Sequence, residues 1–150
     1  DRWRRDGVNC QYLTRPDRVG YKAGNLSHHM PGVHGQFVAI MDSDHKCEPD
    51  FLLKTVPHFY DESGNHKYDI GLVQTPWSFC NVHDNLLSEC DALNSDIHHV
   101  IEQQGRSNCL SCFSFNGTGG VWRKDAIVAG KGFSWDTVTE DLDLSYTSHL

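Results

Sequence analysis

No stretch of this chain is apolar for long enough to enter a bilayer. The longest uninterrupted apolar run is Phe37–Met41, against the roughly 20 residues that a membrane helix needs. No signal-peptide pattern stands at the amino terminus. A basic excess is also missing: 13 Lys and Arg face 20 Asp and Glu, for a net charge of −7, which excludes a general nucleic-acid binder. There are no internal repeats, low-complexity tracts or linkers. Cys109 and Cys112 form a CxxC, but no second pair stands at zinc-site spacing. The six cysteines are scattered, which suits free thiols in a reducing compartment better than a disulfide scaffold. In such a compartment the sequons Asn25-Leu26-Ser27 and Asn116-Gly117-Thr118 are coincidences. The P-loop pattern GxxxxGK[ST] is absent. The chain has no initiator Met and stops within a helical pattern, so it reads as an excerpt of a longer protein, and missing membrane spans say little about the whole.

What is present is enough for one domain with a core, residues 1–150 being read as the central part of a single domain. Charge is uneven: residues 1–24 carry a local +3, whereas residues 135–150 carry Asp136, Glu140, Asp141 and Asp143 with no Lys or Arg. A site joining these ends would combine anion binding with metal or proton binding.

Strand-like and helical patterns alternate. Strands are expected at Val8–Thr14, Gln36–Met41, Ile70–Thr75 and Leu110–Phe115. Helices are expected at Lys22–Met30, Asp50–Phe59 with a break near Pro57, Arg123–Ala129, and from Glu140 onward. The clearest helix is Asp84–Gln104, with Leu86, Cys90, Leu93, Ile97 and Val100/Ile101 on one face, Asn81 as N-cap and Gly105 as terminator. The continuous apolar run 36–41 fits a strand buried on both faces. The alternation predicts an α/β fold with a mostly parallel sheet flanked by helices, ligands sitting at the carboxyl ends of its strands.

Asp42-Ser43-Asp44 follows that strand directly. In an extended backbone residues i and i+2 face the same side, so both carboxylates reach one divalent cation. Hard cations such as Mg²⁺ or Mn²⁺ favour oxygen ligands and bridge to substrate phosphates. His45 offers a nitrogen ligand, which leans toward Mn²⁺. Lys22 lies in a basic stretch with Arg15 and Arg18, where Gly24 permits close backbone approach. Phe115-Asn116-Gly117-Thr118-Gly119-Gly120 leads a strand into a Gly-rich loop. Thr139-Glu140-Asp141 opens the last helix. Asp141 and Asp143 point roughly 200° apart there, so only one of them faces a given cleft. The aromatics of Gln74-Thr75-Pro76-Trp77-Ser78-Phe79 read as core packing rather than a sugar-stacking wall. His28-His29 and His98-His99 diverge by about 100° on a helix and make no bidentate metal site.

In this order, these motifs resemble glycosyltransferase family 2, and within it the cellulose synthase-like β-glycan synthases, glucomannan and bacterial cellulose synthases among them. The resemblance is carried by Tyr21–Leu26, Asp42–His45, Gln74–Pro76, Phe115–Arg123 and Thr139–Leu144. It implies a GT-A fold, incomplete at both ends here, and an inverting, metal-dependent transfer of a hexose from UDP-glucose or GDP-mannose to a growing β-linked glycan. Lys22, Asp42 and Asp44 would hold the nucleotide sugar, with Asp42, Asp44 and His45 at the metal. Phe115, Asn116, Gly117 and Thr118 would border the acceptor. Asp141 matches the catalytic base, with Glu140 beside it. A first nucleotide-binding strand, a Gln-x-x-Arg-Trp motif and membrane helices would lie outside residues 1–150, as would a place in a synthase complex, with the catalytic domain on the cytosolic face of a Golgi or plasma membrane. The excerpt alone would bind donor poorly and transfer nothing. Two other functions compete: a metal-dependent phosphohydrolase or nucleotidyltransferase, which would use the same acidic residues, and a non-catalytic subunit of a polysaccharide synthase complex. The first gives the Gly-rich loop no task, and the second gives no reason to keep Asp42, Asp44 and Asp141 intact.

Overall fold

A computed structural model describes residues 2–110 and 113–149. Its centre is a three-stranded sheet in the order β1 (Phe37–Ile40), β3 (Gly120–Arg123), β2 (Leu72–Gln74). Every residue of β3 is buried, and it runs antiparallel to both neighbours. The expected parallel sheet is therefore corrected. β1 and β2 do run in the same direction, but an antiparallel strand lies between them. An apolar run reports coverage and not direction, so the sequence pattern fits either arrangement. Coverage of β1 is also less complete than expected, since only Ile40 is fully buried.

Side chains alternate across the sheet and divide the core in two. Trp122 faces Phe115, Ile127, Phe133 and Leu144, joined by Ala23 from α2 (Tyr21–His29) and Ile40 from β1. Val121 faces Phe51, from α3 (Phe51–Thr55), and Phe59. The register pairs Val38 with Trp122 and Ala39 with Val121, so β1 presents alternate residues to the two cores. Gly120 is required by packing: a Cβ there would sit 2.7 Å from the Phe115 ring. Arg123 ends β3 buried, donating to the carbonyls of Ile70 (3.3 Å) and Lys67 (2.9 Å). Its guanidinium lies over the rings of Phe37, Phe59 and Tyr68.

The helices depart from expectation at their ends. The long helix starts later, as α4 (Leu86–Asp96), and is capped by Asn85 rather than Asn81. Asn85 Oδ1 accepts from the amides of Leu87 and Ser88, and Ser88 Oγ accepts from the Asn85 amide. The helix then passes through a π-helical segment, Ile97–Glu102, into α5 (Gln103–Leu110). Gly105 lies inside α5 instead of ending it. Leu86, Leu93, Ile97, Val100 and Ile101 are exposed, as is Cys90. The apolar stripe marks a face that none of the described residues covers.

The expected strand at Val8–Thr14 is irregular, and Tyr12 is exposed. Leu110 closes a helix rather than opening a strand, and residues 113–115 are irregular; Ser111 and Cys112 lie outside the described residues. The helix break near Pro57 is a 3₁₀ turn, Val56–Phe59, continuing from α3. The two carboxyl-terminal helices, α6 (Lys124–Ala129) and α7 (Glu140–Thr147), fall where expected, except that Arg123 ends β3 instead of opening α6. Cys47, Cys80, Cys90 and Cys109 are free thiols. No helix among the described residues is long and apolar enough to cross a membrane. A short amino-terminal helix, α1 (Arg2–Arg5), completes the chain.

Candidate active site

Three segments far apart in sequence meet at Lys22. Its Nζ donates to Asp42 Oδ1 at 2.5 Å and to the carbonyl of Gly117 at 2.7 Å. Lys22 is in the first turn of α2, Asp42 follows β1, and Gly117 belongs to the loop before β3. Gly117 adopts φ +83°, and a Cβ there would lie 3.3 Å from Asp141 Oδ2 and 3.6 Å from Lys22 Nζ. The loop backbone thus passes between the lysine ammonium and the carboxylate that opens α7. The other Asp141 oxygen accepts from the Leu142 amide at 2.8 Å. Ser145 locks this helix start to the loop: its hydroxyl donates to the Asp141 carbonyl and accepts from the Phe115 amide. Glu140 is half-buried in the same first turn.

The Gly-rich loop is fastened on its other side. Thr118 Oγ1 accepts from the Asp42 amide at 2.9 Å, and the Gly119 amide donates to the Ile40 carbonyl at 3.0 Å. Gln74, at the end of β2, donates to the Thr118 carbonyl and accepts from the Asn116 amide. Trp77 Nε1 donates to the same Thr118 carbonyl at 3.1 Å. Four backbone groups of one loop are therefore held by side chains from three segments, the preorganisation that a reacting site needs.

Asp42-Ser43-Asp44 is not extended. The His45 amide donates to the Asp42 carbonyl at 3.0 Å, closing a turn directly after β1. The i/i+2 argument for two parallel carboxylates therefore fails, because strand alternation ends with the strand. Asp42, Asp44, His45 and Thr118 nonetheless line one cavity of about 850 Å³. Trp77 and Phe79 form part of its wall, so these aromatics border the cavity and do not fill the core as the sequence suggested. No group of three His, Cys, Asp or Glu side chains able to hold a metal ion occurs among the described residues.

Two further expectations change. Phe115 is buried against Trp122, with ring centroids 5.8 Å apart, so its side chain belongs to the core and only its backbone opens the loop. Gly24 serves packing rather than ligand approach: a Cβ there would lie 2.1 Å from the Val19 carbonyl oxygen.

A family model described as glycosyl transferase family group 2 matches residues 37–147, which include every segment of the site except Lys22 and the helix α2 that carries it. The chain belongs to this family. Membership implies the GT-A fold, seen here as a small antiparallel sheet with helices around it. Over an alignment of 153 positions that takes in all of this chain, it is 42% identical to a protein of Oryza sativa subsp. japonica named probable glucomannan 4-beta-mannosyltransferase 6, and covers 26% of it. A second rice protein, probable glucomannan 4-beta-mannosyltransferase 4, is 42% identical over 151 residues, 99% of this chain and 27% of that protein. The chain spans about a quarter of the length of the curated relatives it matches.

Sequence reasoning missed Gln74 and Gln103 as loop-fastening residues. A polar side chain at the end of the apolar strand 70–74 was the one available sign of the first. It also set aside His98 and His99 as divergent neighbours. Both rings reach Asn116, at 3.2 Å and 3.3 Å.

Proposed function

We propose that this chain carries the donor-handling and base-carrying parts of an inverting hexosyltransferase that extends a β-linked glycan. The names of the rice relatives favour mannosyl transfer to a glucomannan-type chain, and hence GDP-mannose over UDP-glucose as donor. The observation that carries the reading is Lys22 Nζ joining Asp42 to the Gly117 carbonyl, with Asp141 Oδ2 beside the same glycine.

An ammonium group has three donors. Asp42 and Gly117 take two, and the third remains for a diphosphate oxygen of the donor. Asp141 would accept the proton of the acceptor hydroxyl as that oxygen attacks the anomeric carbon from the face opposite the leaving group. The Leu142 amide holds one Asp141 oxygen and leaves Oδ2 for this proton. The fastened loop fixes the distance between the two charged groups, so catalysis is mainly positioning and charge stabilisation.

Asp42 and Asp44 on the cavity wall fit a hard divalent cation, which characteristically takes one or two carboxylates and completes its shell with substrate phosphates. Asp42 and Asp44 would hold such an ion, His45 standing beside them, and Mg²⁺ or Mn²⁺ would neutralise charge on the departing diphosphate. Trp77 and Phe79 offer apolar ring faces to the base or sugar of the donor. The full-length protein is read as a membrane synthase, its spanning segments lying outside these 150 residues.

The test is a donor screen on the full-length protein in membranes, with Mg²⁺ and with Mn²⁺, reading product linkage. Incorporation of mannose from GDP-mannose into β-linked product is expected. Release of free phosphate or free sugar without glycan growth would sink the transferase reading.

A further inference from the structure

Asn116 opens the Gly-rich loop, and its side-chain amide is gripped by a helical segment to which the steps above give no task. Gln103 sets the geometry. It is buried, its Nε2 donates to the Ser114 carbonyl at 2.9 Å, and its Oε1 accepts from the Ser114 amide. These two backbone contacts fix which end of the Gln103 amide is which. Its Nε2 also lies 3.0 Å from Asn116. Two facing amide nitrogens would repel, so the Asn116 atom there is Oδ1.

The protons of both histidines then follow. Asn116 Nδ2 faces His99 Nδ1 at 3.3 Å, so that nitrogen must accept and the His99 proton lies on Nε2. His98 Nε2 lies 3.2 Å from Asn116 Oδ1, so it must donate. His98 Nδ1 lies 3.0 Å from Glu102 Oε2, another acceptor. His98 thus bridges Glu102 and Asn116, its Nε2 also lying 3.5 Å from Gln103 Nε2. Adjacent histidines grip the two ends of one amide. The wider turn of the π segment aims both at the same side chain, and such segments recur at functional sites.

The two rings have different surroundings. His98 is faced by Glu102, Asn116, the Gln103 amide and the His99 ring, and Arg106 holds the second oxygen of Glu102. His99 is faced by His98, Asn116 and the Trp77 ring, with Asp96 the nearby acid. Burial, then the neighbouring His98, lower its pKa from the ordinary histidine value.

We propose that His98, His99 and Gln103 are positioning residues for the acceptor step: they hold Asn116 in one orientation, and through it hold the 116–119 loop between Lys22 and Asp141. The acceptor role rests on the transferase reading above, whereas the lock itself does not.

The experiment uses the full-length protein, with wild type, His98→Ala, His98→Arg and His99→Gln compared. His98→Ala is expected to lower kcat or raise the acceptor KM by about 10- to 100-fold, a misplacement effect, while affinity for the free nucleoside diphosphate stays within about 2-fold of wild type. His98→Arg, a permanent cation able to donate to both Glu102 and Asn116, is expected to recover most of that loss. An arginine variant as impaired as the alanine one, or diphosphate affinity falling in step with kcat, overturns the positioning role.

Thermal unfolding against pH tests the lock without any transfer. Folded His99 binds its proton less readily than unfolded His99, so the unfolded state takes up more protons and stability falls as pH drops below about 6.5. His99→Gln keeps an acceptor for Asn116 and cannot titrate, so its midpoint should fall less than that of wild type on acidification. Equal slopes would mean that His99 is not held in a buried position, and overturn its part in the lock. A wild-type protein that transfers no sugar overturns the acceptor role together with the transferase reading, and the unfolding comparison still decides the lock.

Discussion

Lys22 is the residue on which most of the site's geometry depends. It is about one-third exposed, near enough to solvent to meet a ligand and close enough to Asp42 and Gly117 to be held still. Its identity was visible in a basic stretch, but its partners lie 20 and 95 positions away, and no local pattern reports such distances. For the same reason the sequence suggested a DxD pair on an extended backbone. The chemistry of the two carboxylates was legible, whereas the turn closed by the His45 amide was not. If Lys22 meets the donor diphosphate as proposed, replacing it with Met removes a cation from beside the developing negative charge. We expect kcat/KM to fall about 100-fold or more, the usual size for one electrostatic contact to a transition state, measured by steady-state kinetics with donor varied. Unchanged kinetics would place the diphosphate elsewhere.

At the scale of elements, helices were legible where their ends had local signals. Glu140 at the start of α7 and Gly130 at the end of α6 are examples. Ends set by competition between neighbours were not. Asn81 and Asn85 both offer a cap, and Asn85 prevails because Ser88 reciprocates its hydrogen bond. Asn85→Ala should cost about 1 kcal/mol of stability, read from urea unfolding, with no change in the slope. The apolar face of α4 shows the opposite case: the period was read correctly, but periodicity predicts a face that wants covering and not what covers it. Arg123 was noticed only as part of a motif. Its buried guanidinium ties β3 to the 59–70 segment through several carbonyls and three rings. Arg123→Met would leave those carbonyls unpaired and should cost about 3 kcal/mol, seen as a lowered denaturation midpoint. A loss below about 0.5 kcal/mol would show that water replaces the guanidinium freely.

For the molecule as a whole, the order of motifs carried more than any one of them. Strand direction, the π segment and the fastening of the loop by Gln74, Trp77 and Gln103 depend on contacts between segments, so a single sequence left them open. The family and the residues that meet at Lys22 could be named because each motif brings its own chemistry: carboxylates after a strand, glycines where backbone passes between charges, and an acid at a helix start. The central claim is that Asp141, beside Gly117, takes the acceptor proton in a site otherwise built for the donor. The most direct measurement compares full-length wild type with Asp141→Asn for glycan elongation and for nucleoside-diphosphate binding in the presence of Mg²⁺ or Mn²⁺. Elongation should fall about 10²- to 10⁴-fold while binding persists. Elongation by Asp141→Asn at the wild-type rate would contradict the account.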